Sequence, residues 1–404
     1  MKILILMSGG FDTYGPSRHL YHALIEDLLS DGNEILLIES HSTGNDPDVP
    51  DSFLAFHSFS YITIKRKVVK KRAFVRRYLN ELLYVKKCKR FLKKLKTKYD
   101  AVLIQSLVCA PFLIPAVKRI TKTKVLWNIQ DMFPGASIAN GVLKNKFLQK
   151  FFYNLHLKAY SSADYITVIS EDMFDKVVEQ GFDKERIEVI YDWFDDTSVR
   201  LIPWDENIFV KKYNLNPDLF YVQFAGTMGF NFDYRMVLKI ATELKNEKNI
   251  VFQMIGFGSQ MDIFMSKAKT LGLDNVVFLP LQKQEMVSHV YSAASIGLIP
   301  LPFGVIGNSV PSKIGLLMAC KKAVVTTADG KSKYIKMIND NKIGFGFSTD
   351  SAKDVARAII QLRDDANLLK ELGQNGYDYG KTIYSRSYNT QKYIKLFKKI
   401  FKEE

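Results

Sequence analysis

Residues 297–330, GLIPLPFGVIGNSVPSKIGLLMACKKAVVTTADG, change chemical character four times. Residues 297–301 form a short apolar strand, closed by Pro300 and Pro302. A small-residue loop follows over 304–309. Pro311 opens a helix with Ser312 and Lys313 in its first turn, Lys321 and Lys322 end it, and residues 323–327 are the next strand. A strand, a crossover helix and a second apolar strand make a βαβ unit. The helix N-terminus presents unpaired backbone N–H groups and the positive end of the helix dipole. Pro at the first helical position fits, because its missing N–H is not needed there. A lysine in that turn opposes the dipole unless an anion sits beside it. Gly307, Asn308, Ser309, Ser312 and Lys313 therefore form a candidate phosphate cradle. The plainer alternative is a crossover helix with a solvated lysine.

Working outward, the same alternation continues on both sides. Residues 220–225 are an apolar strand that meets Gly226-Thr227-Met228-Gly229, followed by a helix over 234–246. Residues 250–255 are a strand ending in Gly256-Phe257-Gly258, then come a helix over 261–271, a strand over 276–279 and a helix over 283–293. The glycine loops follow parallel strands and are expected on one rim, with Leu281 beside them. Strand 344–348 and helices over 352–364, 367–382 and 388–402 complete this half. In the first half, strands are expected at 2–7, 34–38, 53–64, 99–105, 124–129, 164–169 and 187–190. Helices fall at 17–30, 110–121, 146–161 and 171–180. Residues 131–141 are expected as a loop. Residues 195–213, with Pro203, several acids and little periodicity, suit a linker. Two doubly wound parallel sheets follow, and ligands of such sheets bind beyond the carboxyl ends of the strands.

Composition narrows the class. The 404 residues allow two or three domains, and 47% hydrophobic content supports folded cores. Cys88, Cys109 and Cys320 are too few and too scattered for a disulfide framework or a zinc site, which suits a reducing compartment. The opening MKILILMSGG is too brief for a signal peptide and reads as a strand. No run reaches the roughly 18–20 apolar residues of a membrane span.

The net charge of +15 is local. Residues 65–98 hold sixteen Lys and Arg against the single acid Glu81, and the rest of the chain is balanced. Phe74, Tyr78, Leu79, Leu82, Leu83, Val85, Phe91, Leu92 and Leu95 recur between the charges at helical spacing. The segment reads as one or two basic amphipathic helices. Apolar residues among the basic ones favour an anionic membrane surface, where each basic residue adds about 1 kcal/mol. The membrane-facing candidates are Lys70, Lys71, Arg72, Arg76, Arg77, Lys86, Lys87, Lys89 and Arg90. The alternatives are a solvated helix face or nucleic acid, and the latter predicts steeply salt-dependent binding.

Several segments in order resemble the family 4 glycosyltransferases of the GT-B architecture, in the branch that builds bacterial surface polysaccharides. They are NIQDMFPG at 128–135, ADYITVISE at 163–171, IEVIYDW at 187–193, Ala225-Gly226, and SVPSKIGLLMA at 309–319. The resemblance implies an α/β fold of two Rossmann-like domains facing a central cleft. An acceptor-side domain would span 1–198 and a nucleotide-sugar domain 199–383, with a helix over 384–404 returning to the first. It implies a nucleotide-sugar donor, UDP-linked by preference, and a polyprenyl-linked or glycan acceptor. Retention of configuration, no metal and no cofactor beyond the donor are also implied. The protein would be cytoplasmic, peripheral on the inner membrane face, without a nucleic-acid partner. A partner transferase is a further candidate.

The donor-side residues are then Gly226, Thr227, Gly256, Gly258, Leu281, Gly307, Asn308, Ser309, Ser312 and Lys313. Lys313 is the basic group for the departing diphosphate. Asp131, in a loop after a strand, is the first choice for a polar group near sugar or acceptor, and a turn cap is its alternative. Gly10 and Gly15 are acceptor-side residues or plain turn glycines. Glu171 reads as a first-turn acid, and His19 and His22 as structural. This sequence departs from the family pattern at three places. Asn308 and Leu316 stand where many relatives carry glutamates, and Thr227 stands where many carry arginine. Those departures motivate the rival reading, a catalytically degenerate GT-B protein that binds a partner transferase or a glycan. A nucleotide-sugar epimerase and a dinucleotide enzyme are further alternatives. The first would want a set of acid/base residues in the cleft. The second would want GxGxxG, which the 9–15 loop lacks.

Overall fold

The computed structural model describes residues 1–11, 18–42, 47–67, 74–95, 97–105 and 108–402. The chain divides into two compact units, Met1–Ile190 with Asn389–Glu404, and Tyr191–Tyr388.

Among the described residues, the first unit is built on a seven-stranded sheet. Its strands are β1 (Lys2–Ser8), β2 (Glu34–Ser42), β3 (Phe59–Arg66), β4 (Ala101–Gln105), β5 (Val125–Ile129), β6 (Tyr165–Val168) and β7 (Ile187–Val189). Their order is β3-β2-β1-β4-β5-β6-β7, every pair parallel. Such strands are covered on both faces and read as unbroken apolar runs. Ile3, Leu4, Ile5 and Leu6 show this, all at 0% exposure. Helices fill the crossovers where sequence chemistry starts them. Ser170 caps Glu171–Glu179 by accepting from the Met173 N–H at 3.1 Å, and exposed Glu171 sits in the first turn, where the dipole favours an acid.

The second unit holds β8 (Phe220–Thr227), β9 (Ile250–Phe257), β10 (Val276–Leu279), β11 (Ile296–Pro300), β12 (Ala323–Ala328) and β13 (Gly344–Ser348). They form a six-stranded parallel sheet in the order β10-β9-β8-β11-β12-β13. The winding direction reverses between β8 and β11. In the first unit the same reversal falls between β1 and β4.

Three expectations change. The linker expected over 195–213 carries the helix Ile208–Tyr213, packed into the second unit. Asn207 caps it, accepting from the Phe209 and Val210 N–H groups at 2.9 and 3.3 Å, and Phe209 is fully buried. Six residues, under two turns, are too few to show helical periodicity, so only the cap marked it. The strand expected over 53–64 is shorter and later. Asp51–Leu54 is a helical turn after Pro50, and its Phe53 packs against the rings of His22 and Phe59. The loop expected over 131–141 contains the short helix Gly135–Ala139. Of the one or two helices expected over the basic stretch, the described residues hold one, Phe74–Lys94, while Lys65 and Arg66 finish β3.

The last helix, Arg386–Lys402, begins in the second unit and ends in the first. Its first-unit part is anchored by polar contacts. Asn128 Nδ2 donates to the Tyr393 hydroxyl at 2.8 Å, and Lys392 and Lys398 pair with Glu188 and Asp31, each at 2.9 Å. Tyr393→Phe leaves the buried Asn128 amide one acceptor short. Its expected cost is about 1–2 kcal/mol, read by urea unfolding of the full chain.

Candidate functional site

In a doubly wound sheet the crevice opens where strand order reverses, beyond the carboxyl ends of the flanking strands. In the second unit those ends are Gly226-Thr227 of β8 and Pro300 of β11. The loop leaving β11 runs through Gly304 to the helix Lys313–Ala319. The helix starts two residues later than Pro311. Exposed Ser312 takes the cap position without a side-chain cap hydrogen bond.

Lys313 is the centre of this region. Its half-buried side chain lies over Gly226, with Nζ 5.3 Å from the centroid of the Phe224 ring. Among the described residues its ammonium has neither a hydrogen-bond partner nor a carboxylate. Burial pulls its pKa from the ordinary lysine value down to about 8. A lysine held this way disfavours its own charge until an anion arrives.

The glycines explain how the side chain fits. Gly226 has φ +141°, and a Cβ there would lie 2.2 Å from Lys313 Cε. Gly226 pairs with Gly256, where a Cβ would lie 1.9 Å from the Gly226 carbonyl oxygen. At Gly258 it would meet the Met228 carbonyl oxygen at 2.2 Å. Gly256 and Gly258 are thus needed for the close approach of β9 to the β8 end. The space at Gly226 belongs to Lys313.

The remaining loop residues divide by environment. Gly307 and Asn308 are buried, and Asn308 Nδ2 donates to the Gly304 carbonyl at 2.7 Å. Asn308 therefore closes its own loop. Ser309 accepts from Asn231 Nδ2 at 3.4 Å, joining the loops after β8 and β11. Thr227 is exposed at the end of β8. Leu281 is half exposed after β10, the edge strand two places from β8. Leu316 packs partly buried against the core on its side of the sheet.

Sequence reading missed three contributors. Asp329, after β12, accepts from the Gly304 N–H at 2.7 Å and fixes the turn that carries the loop. Phe230 and Phe303 stand 49% and 75% exposed, on the loops after β8 and β11. Large exposed aromatic rings beside a polar crevice were the available signal, and spacing alone does not reveal exposure.

In the first unit the corresponding strand ends carry Gly9, Gly10 and Gln105. Glu39, fully buried in the second half of β2, accepts from the Phe11 N–H at 3.3 Å, and His22 Nε2 contacts the Gly10 carbonyl at 2.9 Å. Burial lowers the His22 pKa, which suits a neutral, structural ring. His19 is exposed on the same helix. Gly15 lies outside the described residues. Asp131 is exposed just beyond the carboxyl end of β5. Of the basic residues, Lys70, Lys71 and Arg72 lie outside the described residues. Arg76, Arg77, Lys86, Lys87, Lys89 and Arg90 are on the Phe74–Lys94 helix, with Arg76, Lys86, Lys87 and Arg90 exposed. Among the described residues no group of three or more His, Cys, Asp and Glu is placed to hold a metal ion.

Residues 205–379 match the family model for glycosyl transferases group 1, and residues 15–198 match that for glycosyltransferase family 4. The probable glycosyltransferase WbjE of Pseudomonas aeruginosa is 26% identical over 238 residues, 58% of this chain and 58% of WbjE. The putative colanic acid biosynthesis glycosyl transferase WcaI of Escherichia coli (strain K12) is 20% identical over 230 residues, 56% of each chain. Less than two thirds of either relative is therefore matched. The crystal structure of Anabaena Alr3699/HepE in complex with UDP has the same fold. Its TM-score is 0.72 at 15% identity, covering 99% of this chain and 100% of that one.

Proposed function

From a chain that belongs to the family 4, group 1 glycosyltransferases of bacterial polysaccharide type, we propose a transferase that moves a sugar from a UDP-sugar to a polyprenyl-linked or glycan acceptor. The observation that carries this reading is Lys313, an ammonium without an anionic partner among the described residues, at the strand-order reversal of the second unit. The UDP bound by Alr3699/HepE, which has the same fold, supports the choice of nucleotide. The name of WcaI supports a place in surface-polysaccharide assembly.

The chemistry asks for little from the protein. As the bond from the anomeric carbon to the donor phosphate breaks, positive charge spreads over the sugar ring and negative charge grows on the departing diphosphate. A fixed cation beside that diphosphate, already stripped of water, stabilises the transition state more than the ground state. Lys313 supplies it. Exposed Phe230 and Phe303 are the rings against which a base or sugar face can pack. Asp131 is the proposed polar group on the acceptor side. Transfer proceeds with retention and without a resident metal. The enzyme works in the cytoplasm, peripheral on the inner membrane face, where a polyprenyl-linked acceptor resides.

The test is a product assay with UDP-sugars and polyprenyl-diphosphate-linked sugars, run with and without EDTA, with the product anomer read by NMR. Metal-independent transfer with the donor's anomeric configuration kept supports the reading, and inverted product or loss of activity in EDTA contradicts it. A second reading, a binding-only copy, is favoured by Asn308 and Leu316. Their side chains are committed to the loop and the core. It predicts UDP-sugar binding without turnover on any acceptor.

Donor binding carries a pH signature. Free Lys313 loses its proton near pH 8, and a bound diphosphate raises that value. Binding therefore takes up a proton at alkaline pH. Affinity for UDP is expected to be flat between the second ionisation of its terminal phosphate, at about pH 6, and the free lysine pKa, and to fall as pH rises through the latter. Calorimetric titrations from acid to alkaline pH check this, and Lys313→Ala removes the inflection.

A further inference from the structure

The helix Lys146–Ser162 satisfies its packing with one stripe and carries a second. Phe152, His156, Ala159 and Tyr160 are its buried side. Phe147, Leu148 and Phe151 face the other way, 87%, 46% and 56% exposed. Exposed Lys144, Lys146 and Lys150 flank them, and no Asp or Glu occurs between Asp131 and Asp164. A helix that only had to fold would not need two adjacent phenylalanine turns in solvent.

This helix packs on Ala110–Thr121, which packs in turn on the basic helix Phe74–Lys94. Tyr78 of the basic helix meets Phe152 edge to face, with ring centroids 5.2 Å apart. The three helices are one layer of the first unit. The basic helix has its own outward stripe, in which Arg76, Leu79, Leu83, Lys86, Lys87 and Arg90 are all exposed. Between it and β3 lies a cavity of about 310 Å³ lined by Lys65, Lys87, Arg90, Lys94, Phe91, Thr63 and Ile64. Glu81, the acid of this segment, is engaged elsewhere, with Arg66 at 2.7 Å. Nothing negative neutralises the cavity's four cations among its lining residues.

We infer that this layer is a docking surface for an anionic phospholipid bilayer, with Phe147, Leu148 and Phe151 entering the acyl boundary and the β3 cavity taking lipid phosphate. Charge complementarity selects the occupant. Exposed aromatic residues flanked by exposed lysines, on a stretch of chain without acids, match an interface of apolar depth beneath anionic headgroups. Lysine stems can lie along the apolar ridge while their ammonium groups reach the phosphates. No helix among the described residues is long and apolar enough to cross a membrane, so the contact is interfacial. The inference deepens the membrane part of the proposed function, and donor binding can fail without touching it.

The test uses the full chain with vesicles of phosphatidylcholine alone or mixed with phosphatidylglycerol. The wild type is expected to bind the mixed vesicles and to release them in high salt. The double variant Phe147→Ser/Phe151→Ser is expected to need on the order of tenfold more lipid. Lys87→Ser/Arg90→Ser is expected to lose the preference for anionic vesicles. Phe147→Trp should show a blue-shifted emission on mixed vesicles. UDP binding and the circular dichroism spectrum should not change in any variant, which separates docking from folding and from the donor site. Undiminished binding by the double phenylalanine variant overturns the inference. So does a solution dimer that the same variant dissolves, because the ridge would then belong to a second copy.

Discussion

Replacing Lys313 with alanine is expected to lower kcat/KM for sugar transfer by about 10²–10³-fold, the scale on which removing one fixed group that stabilises transition-state charge is felt. The loss falls on kcat as well as on UDP affinity, because negative charge on the diphosphate grows as the bond to the sugar breaks. The fold should survive. The side chain is half buried, and it brings an unpaired ammonium into partial burial, so its removal relieves a desolvation cost. Lys313→Arg is not a conservative rescue. A planar guanidinium is wider than an ammonium, and the lysine stem already fills the space a Cβ on Gly226 would take. Steady-state kinetics with a fixed acceptor check both variants. A Lys313→Ala enzyme with unchanged kcat removes the lysine from the mechanism.

Gly256→Ala should produce a large loss of stability. Its φ of +144° is a region that L side chains rarely adopt, and the added Cβ would sit 1.9 Å from the Gly226 carbonyl oxygen. Backbone cannot step aside as a flexible side chain can. Strain and overpacking each cost about 1–3 kcal/mol, so a total of about 3–5 kcal/mol is expected. The damage falls where β8 and β9 end, so UDP binding should be lost as well. Thermal unfolding beside Gly272→Ala gives the comparison. Gly272 also has positive φ, but its added Cβ meets only the end of the Lys245 side chain, at 3.4 Å. Similar losses in the two variants contradict the close-approach argument.

These two residues show what the sequence does and does not reveal. The parallel strands were legible because strands buried on both faces read as near-continuous apolar runs, as in residues 3–7 and in 220–225, where buried Gln223 is the exception. Lys313 was legible because a lysine in a first helical turn opposes the dipole. Gly256 was legible as a glycine after a strand, but its partner was not. The clash depends on register, which pairs it with Gly226 across β8 and β9. The helix Ile208–Tyr213 hid in an apparent linker because fewer than two turns show no period. Asp329 contributes through a 2.7 Å contact with Gly304, 25 residues away in the chain. The helix over 146–161 was visible, but its exposed phenylalanines were not. A two-faced apolar helix looks the same on paper whether the second face is covered or bare.

We propose that the second unit carries a nucleotide-sugar site built around Lys313. Isothermal calorimetry of the purified chain with UDP, GDP, ADP, CMP and NAD tests it most directly, with Lys313→Ala alongside. Saturable binding of UDP in preference to the others is expected, with proton uptake at alkaline pH, and a large loss of both in the variant. Absence of binding by every nucleotide, or UDP binding that the variant retains in full, contradicts it.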